Sequence, residues 1–366
     1  MDFKSQSRAR IGIAGGGIAG LACAYALLRR GAQVDVFDSG EAGRGALWAS
    51  GGMLAGGFEC CESGQGQAFA DLARLGMQLW DEWSVALGRE AIGFRKAGVL
   101  SPAAQGSERD WLDAMARHGE ALGIRTEWCR GLPGAISGKW GLRFPDDGEL
   151  DNRLLGPRLA DAVRDAGGRI ASHSPVSGIS NARDGGVVLE TASGAHVFDH
   201  VILATGADSG GLEGVEPALS ALRPVKGQMV SVKTDHVRLD GCVRARDVYL
   251  SQKSDGRIVI GATSETGFAD LGTDENAIRA LLDKASRRVP ALAQAKETER
   301  WAGLRPGSVD GLPIIGSGQV EGVFLALGFY RNGVLLAPAI GELLADIIFD
   351  GRAVPFAISP ERFQQR

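Results

Sequence analysis

The chain has 366 residues, enough for about two domains rather than one small core. With 44% apolar and 23% charged residues it is globular rather than disordered, and a formal net charge of −4 gives no electrostatic reason to expect nucleic acid or an anionic membrane as partner. Its 54 glycines follow no period, which excludes collagen and marks loops that turn tightly or approach a ligand. Five cysteines without a C-x-x-C pair, and only five histidines, argue against a metal site. The thiols read as free and the compartment as the reducing cytoplasm.

The first elements are local and clear. Arg10 to Ala14 reads as a buried strand, Gly15 to Gly17 as a turn, and Ile18 to Arg30 as a helix stopped by Gly31. Gln33 to Asp38 alternates like a second strand. A hydropathy scan would flag Ile11 to Leu28, which is uncharged, as a membrane or signal segment. The five glycines at its front end fit a strand–turn–helix–strand unit better, the opening of a doubly wound nucleotide-binding fold.

Within that unit Gly15, Gly17 and Gly20 form G-x-G-x-x-G. The first glycine permits the turn, the second lets backbone approach a pyrophosphate, and the third lets helix and strand pack. Ile18 and Ala19 then supply free N–H groups at the positive end of the helix. Asp38 stands 23 residues after Gly15, where an acid meets a ribose hydroxyl, with Ser39 beside it. These features do not separate FAD from NAD.

Ser39 to Gly66 reads as a glycine- and alanine-rich loop. Helices are expected at Gln67 to Leu87, Glu108 to Leu122, Leu154 to Gly167, Thr273 to Arg288 and Leu335 to Asp350. Val187 to Thr191 and His196 to Phe198 read as paired strands, and Arg169 to Ser172 as another. Val201 to Gly206 reads as a central strand. Gln228 to Lys233, Asp247 to Leu250 and Arg257 to Ala262 read as strands of a second sheet. The strand VILATG ends in Ala204-Thr205-Gly206, an ending typical of flavoproteins whose chain returns to FAD, and no second G-x-G-x-x-G offers a pyridine-nucleotide site.

Four segments carry a family resemblance: the opening βαβ unit, Trp48 to Glu62 (WASGGMLAGGFECCE), Trp301 to Gly316 (WAGLRPGSVDGLPIIG) and Gly328 to Pro338 (GFYRNGVLLAP). The sequence resembles the D-amino-acid oxidase family of FAD-dependent oxidoreductases, most of all its glycine-oxidising branch in thiamine biosynthesis. The resemblance implies an α/β fold: a Rossmann-like FAD-binding domain interleaved with a smaller α+β substrate domain on a mostly antiparallel sheet. The expected division is 1–90, 150–220 and 300–366 for FAD, and 91–149 and 221–299 for substrate.

The resemblance also assigns roles. Ala49, Ser50, Gly51, Gly52 and Met53 run beside the flavin, and Val176 meets the adenine part through its backbone. Ala204, Thr205, Gly206, Gly303 and Gly328 complete the cofactor's surroundings. Asn332, Gly333, Val334 and Leu335 begin a helix whose N–H groups face the flavin ring. Arg331 grips the substrate carboxylate, with Arg305 and Tyr249 completing the pocket. Ser264 stands where this branch leads one to expect a bulkier apolar residue. Relatives with covalent FAD use a cysteine near the segment matching Arg305-Pro306, and this chain has none after Cys242, so noncovalent FAD is expected.

The expected reaction is oxidative deamination of a small amino acid, glycine first. Hydride passes to flavin N5, and the products are the oxo acid, ammonia and hydrogen peroxide, with oxygen as electron acceptor. The alternatives are a D-amino-acid dehydrogenase that passes electrons to a quinone, and an oxidase of an N-methylated, cyclic or phosphonate-bearing amine. A third is a protein that holds FAD without turnover. A homo-oligomer is open on base rates alone.

Overall fold

A computed structural model describes residues 9–208, 211–212, 216–268 and 270–363. Two large sheets organise them. The first has six strands in the order Ile314–Ser317, Val323–Leu327, His200–Leu203, Arg10–Ala14, Gln33–Phe37, Arg169–Ala171. Its neighbours are parallel except for the antiparallel edge strand Ile314–Ser317.

Alternation along the strands decides what covers each face. Ile11 and Ile13 join the main core, packed beneath helices α1 (Ile18–Arg29), α4 (Gln67–Leu87), α6 (Asn152–Asp165) and α8 (Gly333–Asp350). Two shorter helices, α2 (Ala46–Ala49) and α3 (Gly56–Ser63), precede α4, and α5 (Gly106–Ala121) follows it. Ala14, Phe37, Val201 and Leu203 face the other way, onto a three-stranded antiparallel sheet of Val176–Asn181, Val187–Thr191 and Gly194–Phe198. Gly12 allows that packing, because a Cβ there would stand 2.6 Å from the Phe198 ring.

The second sheet has nine strands and is antiparallel except where Cys242–Arg244 runs beside Val99–Ala103. Helix α7 (Glu275–Arg288) closes a core of Val230, Ile258, Ile260, Ile278 and Leu281 on it. The chain visits the two sheets alternately, so the fold is interleaved α/β and α+β. Leu222–Lys233 and Lys296–Ser308 form a long antiparallel pair from Leu222↔Ser308 to Lys233↔Lys296. The expected boundary at residue 300 falls inside the second of these strands.

Several expected elements differ at their ends or were unread. The stretch Ser39 to Gly66 contains α2, the strand Met53–Leu54 and α3. Helix α3 opens on Gly56-Gly57, a poor helical start in sequence. It forms because the Asp147 carboxylate, 90 residues away, accepts the N–H groups of Gly57 (2.6 Å) and Phe58 (3.0 Å). The last helix begins at Gly333 rather than Leu335 and contains Pro338.

Candidate active site

The G-x-G-x-x-G turn is built by close approach. Gly15 lies at φ +109°, and a Cβ there would overlap the Ala204 carbonyl oxygen. A Cβ on Gly20 would overlap the carbonyl oxygen of Gly15. Gly17 is different: it has ordinary φ of −72° and no protein atom within 4 Å of an added Cβ. Nothing in the protein requires glycine there, whereas a ligand lying on the backbone would. Helix α1 starts at that point with no side-chain cap and no acid in its first turn. The N–H groups of Ile18, Ala19 and Gly20 are therefore first-turn donors that no side chain caps.

Asp38 ends the next strand, with Oδ2 accepting Gly16 N–H (2.6 Å) and Oδ1 accepting Gly40 N–H (2.7 Å). Both oxygens keep a further lone pair. Ser39 is exposed beside it. The Ser174 N–H donates to the Asp38 carbonyl (2.7 Å), which brings the start of the Val176 strand to the same end of the sheet. Ala204 is buried against Gly15, Gly206 adopts φ +72°, and the Thr205 Oγ1 hydroxyl is buried without a partner.

Three side chains fix the segment 47–53. Asn152 Nδ2 donates to the carbonyls of Leu47 (3.0 Å) and Trp48 (2.8 Å), and Trp301 Nε1 donates to Ala49 O (3.0 Å). Buried Lys253 donates to Gly51 O (2.7 Å), Leu150 O (2.8 Å) and Ser251 Oγ (2.9 Å). Gly52 adopts φ +66°, and a Cβ on Gly303 would overlap Ala49. The Tyr249 ring lies against Gly51, where a Cβ would come within 2.7 Å of it. Met53 packs against the cluster of Ala49, Met229, Tyr249, Val259 and Trp301, and the Ser50 hydroxyl is buried without a partner among the described residues. A glycine cradle and two orphaned hydroxyls thus follow one extended track that the protein itself leaves unsatisfied.

Helix α8 meets this track from the far side. Gly328 adopts φ +72°, Tyr330 the strained value of +48°, and Asn332 opens the helix without a side-chain cap. A Cβ on Gly333 would lie 3.4 Å from Ile18 Cγ2, so the uncapped N-termini of α1 and α8 converge. The N–H groups of Gly333, Val334 and Leu335 belong to that first turn.

Charge gathers beyond it. The Arg305 guanidinium lies flat over the Gly227 backbone, which a Cβ would block, and among the described residues it donates only to the Thr263 carbonyl (3.1 Å). Burial lowers its pKa, and the neighbouring positive charge of Arg331 adds to this, whereas Tyr249 opposes it. The Tyr330 N–H donates to Pro306 O (2.8 Å), tying the Arg305 strand to the Arg331 loop. Arg331 stands 3.6 Å from Glu62 Oε2, with its side chain 35% exposed. Burial pushes the Tyr249 phenol up, and among the described residues its hydroxyl reaches only Met229 Sδ (3.4 Å).

Sequence reasoning missed Glu59, Glu62 and Arg244. Glu59 and Glu62 lie three residues apart on α3, a spacing visible in the sequence once a helix is assigned there. Burial pushes the Glu59 carboxyl up, against the pull of Arg244 and Arg331. Arg244 is directly opposite Tyr249 in register.

Residues 10–347 match the family described as DAO, FAD dependent oxidoreductase. A glycine oxidase of Bacillus licheniformis is 32% identical, over 92% of this chain and 92% of its own length. The hydrogen cyanide synthase subunit HcnC of Pseudomonas aeruginosa is 31% identical, over 96% and 95%. The crystal structure of glycine oxidase from Geobacillus kaustophilus is 29% identical with a TM-score of 0.85, covering 95% of this chain and 96% of that one. Family, fold and the glycine track beside Gly17 agree, and the chain belongs to the DAO family of FAD-dependent oxidoreductases.

Proposed function

We propose that the protein oxidises the carbon–nitrogen bond of a small amino acid, glycine first among them, giving the oxo acid, ammonia and hydrogen peroxide. The observation that carries this reading is Arg305: a guanidinium beside Tyr249 and Arg331 whose one hydrogen-bond partner among the described residues is a neutral carbonyl. A planar cationic fork in a half-dry pocket calls for a carboxylate. Glycine is favoured because B. licheniformis glycine oxidase is 32% identical over nearly the whole chain.

In this reading FAD, held without a covalent bond, supplies the two-electron acceptor. Gly15, Gly17, Ile18, Ala19 and Gly20 hold its diphosphate, Asp38 and Ser39 its ribose, and Val176 with Ala204 to Gly206 the adenine side. Ala49 to Met53, Gly303, Gly328 and Asn332 to Leu335 surround the ring. Arg305 and Arg331 together orient the substrate carboxylate, and Tyr249 closes the pocket over Gly51. That clamp would set the α-carbon beside the cofactor site. Water hydrolyses the resulting imine, and oxygen takes the two electrons with two protons as peroxide. The division at 1–90, 150–220 and 300–366 against 91–149 and 221–299 separates mainly cofactor-holding from mainly substrate-holding segments, with 300–366 serving both through Arg305 and Arg331. Among the described residues no helix is long and apolar enough to cross a membrane. Five unpaired thiols support a reducing cytoplasm.

The test is anaerobic mixing of purified holoprotein with glycine, sarcosine, D-alanine and D-proline, followed at the flavin band. Bleaching by glycine, with colour and peroxide returning in air, is expected. Colour that returns only with a quinone would make the protein a dehydrogenase. A bound flavin that no amine reduces would overturn the reading.

A further inference from the structure

We propose that the pocket accepts substrates with a second acidic group, and that Arg244 holds it: amino dicarboxylates, or amines carrying two carboxymethyl arms. This deepens the amine-oxidation reading and rests on it.

Arg244 and Tyr249 form a directly opposed pair on neighbouring strands, so both side chains leave the same face of the sheet. The Arg244 side chain is only 8% exposed and lies 4.9 Å over the Phe58 ring. A guanidinium has five N–H donors. Here one nitrogen donates to the Ala245 carbonyl (2.8 Å) and another faces Glu62 Oε2 at 3.3 Å, while Nε is buried with no partner. That same Glu62 oxygen is the one 3.6 Å from Arg331, so one carboxylate oxygen serves two guanidiniums.

Arginines that only hold the fold together are satisfied differently. Arg153 meets both oxygens of Glu299 (2.6 and 3.2 Å). Arg257 meets Asp151 (2.7 Å) and Asp255 (2.8 Å). Arg244, more deeply buried than either, has one main-chain carbonyl and a shared carboxylate oxygen. A desolvated cation with an orphaned donor is costly unless a ligand completes it.

The local charge count points the same way. Arg244, Arg305 and Arg331 face Glu59 and Glu62, and burial drives Glu59 toward its neutral form. One substrate carboxylate on Arg305 and Arg331 leaves Arg244 unsatisfied, and a second carboxylate completes it. Ser264 adds a polar group beside Tyr330, its Oγ 3.4 Å from the Tyr330 hydroxyl.

The decisive experiment uses redox-inert acids on the holoenzyme, read as perturbation of the flavin spectrum. Malonate, succinate and glutarate are titrated beside acetate and propionate. The best diacid is expected to bind roughly 10–100-fold more tightly than its monoacid. Arg244→Met should remove that advantage, Arg244→Lys should restore part of it, and Glu62→Gln should enlarge it. Reduction rates with iminodiacetate and D-aspartate are then compared with sarcosine and D-alanine, where the diacids should gain by a similar factor. Diacids that bind no better than monoacids, while glycine or sarcosine still reduces the flavin, would overturn the Arg244 assignment alone. Failure of every amine to reduce the flavin would overturn the amine-oxidase reading, and the diacid titration would report on Arg244 independently. If Arg244→Met does not fold, the Glu62→Gln titration decides: no gain in diacid affinity rejects the proposal.

Discussion

Trp80 Nε1 donates to the main-chain carbonyl of Val334 at 2.9 Å, and that carbonyl is the one Pro338 has no N–H to reach. The proline thus opens the first turn of α8, and the indole from α4 closes it. Removing the donor by Trp80→Phe should lower stability by about 1–3 kcal/mol, the range for leaving a buried carbonyl unpaired. In a Pro338→Ala background the loss should be smaller, because alanine at that position supplies the missing N–H. Denaturant unfolding of the four proteins of this cycle measures the difference, and equal losses in both backgrounds would contradict it.

Gly17→Ala and Gly20→Ala separate ligand contact from folding. A Cβ at Gly17 meets no protein atom, so the apoprotein should keep its stability within about 1 kcal/mol. Its FAD affinity should fall by about tenfold or more if the methyl stands in the proposed diphosphate site. A Cβ at Gly20 overlaps the Gly15 carbonyl, so that variant should be destabilised before any ligand is added. FAD titration and thermal unfolding of both apoproteins check this. Unchanged FAD affinity in Gly17→Ala would remove Gly17 from the cofactor site.

For the carboxylate clamp, Arg305→Met and Arg331→Leu should each lower kcat/KM by about 10²–10³-fold, with lysine recovering only part. Arg305 should be the more sensitive, since Arg331 already shares Glu62 and is more open to solvent. Steady-state kinetics across a range of glycine concentrations would show it, and parent-like Arg305→Met would sink the assignment.

Asp147 sets a pH dependence. Burial pushes its carboxyl up to about 7, against the two N–H groups of α3 that favour the charged form. A carboxyl raised in the folded state contributes stability that is fully present below about pH 4 and lost as pH rises to about 7. The stability of the parent relative to Asp147→Asn should therefore fall across that window, by at most about 4 kcal/mol, and level off above it. A parent-minus-variant difference that is flat from about pH 4 to about pH 7 would show that Asp147 stays charged throughout.

Legibility in the sequence followed the range of the interactions. The unit from Arg10 to Phe37 was readable because its strands, turn and helix rest on neighbours close in the chain. Helix α3 was not, because its first N–H groups are answered by Asp147 from a distant strand end. Glu59, Glu62 and Arg244 stayed hidden for the same reason: each is ordinary alone, and only the fold sets them together. The strand Lys296–Ser308 was unread because Trp301 and Ala302 are its only buried apolar residues before a glycine- and proline-rich end. Arg305 was readable from motif resemblance, but its position over Gly227 depends on a cross-strand pairing that no local pattern contains.

The central strand His200–Leu203 pairs with Arg10–Ala14 on one side and with Val323–Leu327 on the other, and α8 follows directly after. During synthesis, therefore, the glycine turn leaves the ribosome about three hundred residues before the helix that shares its site. No nascent fragment ending before α8 presents both helix N-termini, so a site built on the two is complete only once the segment from Gly333 onward has been made.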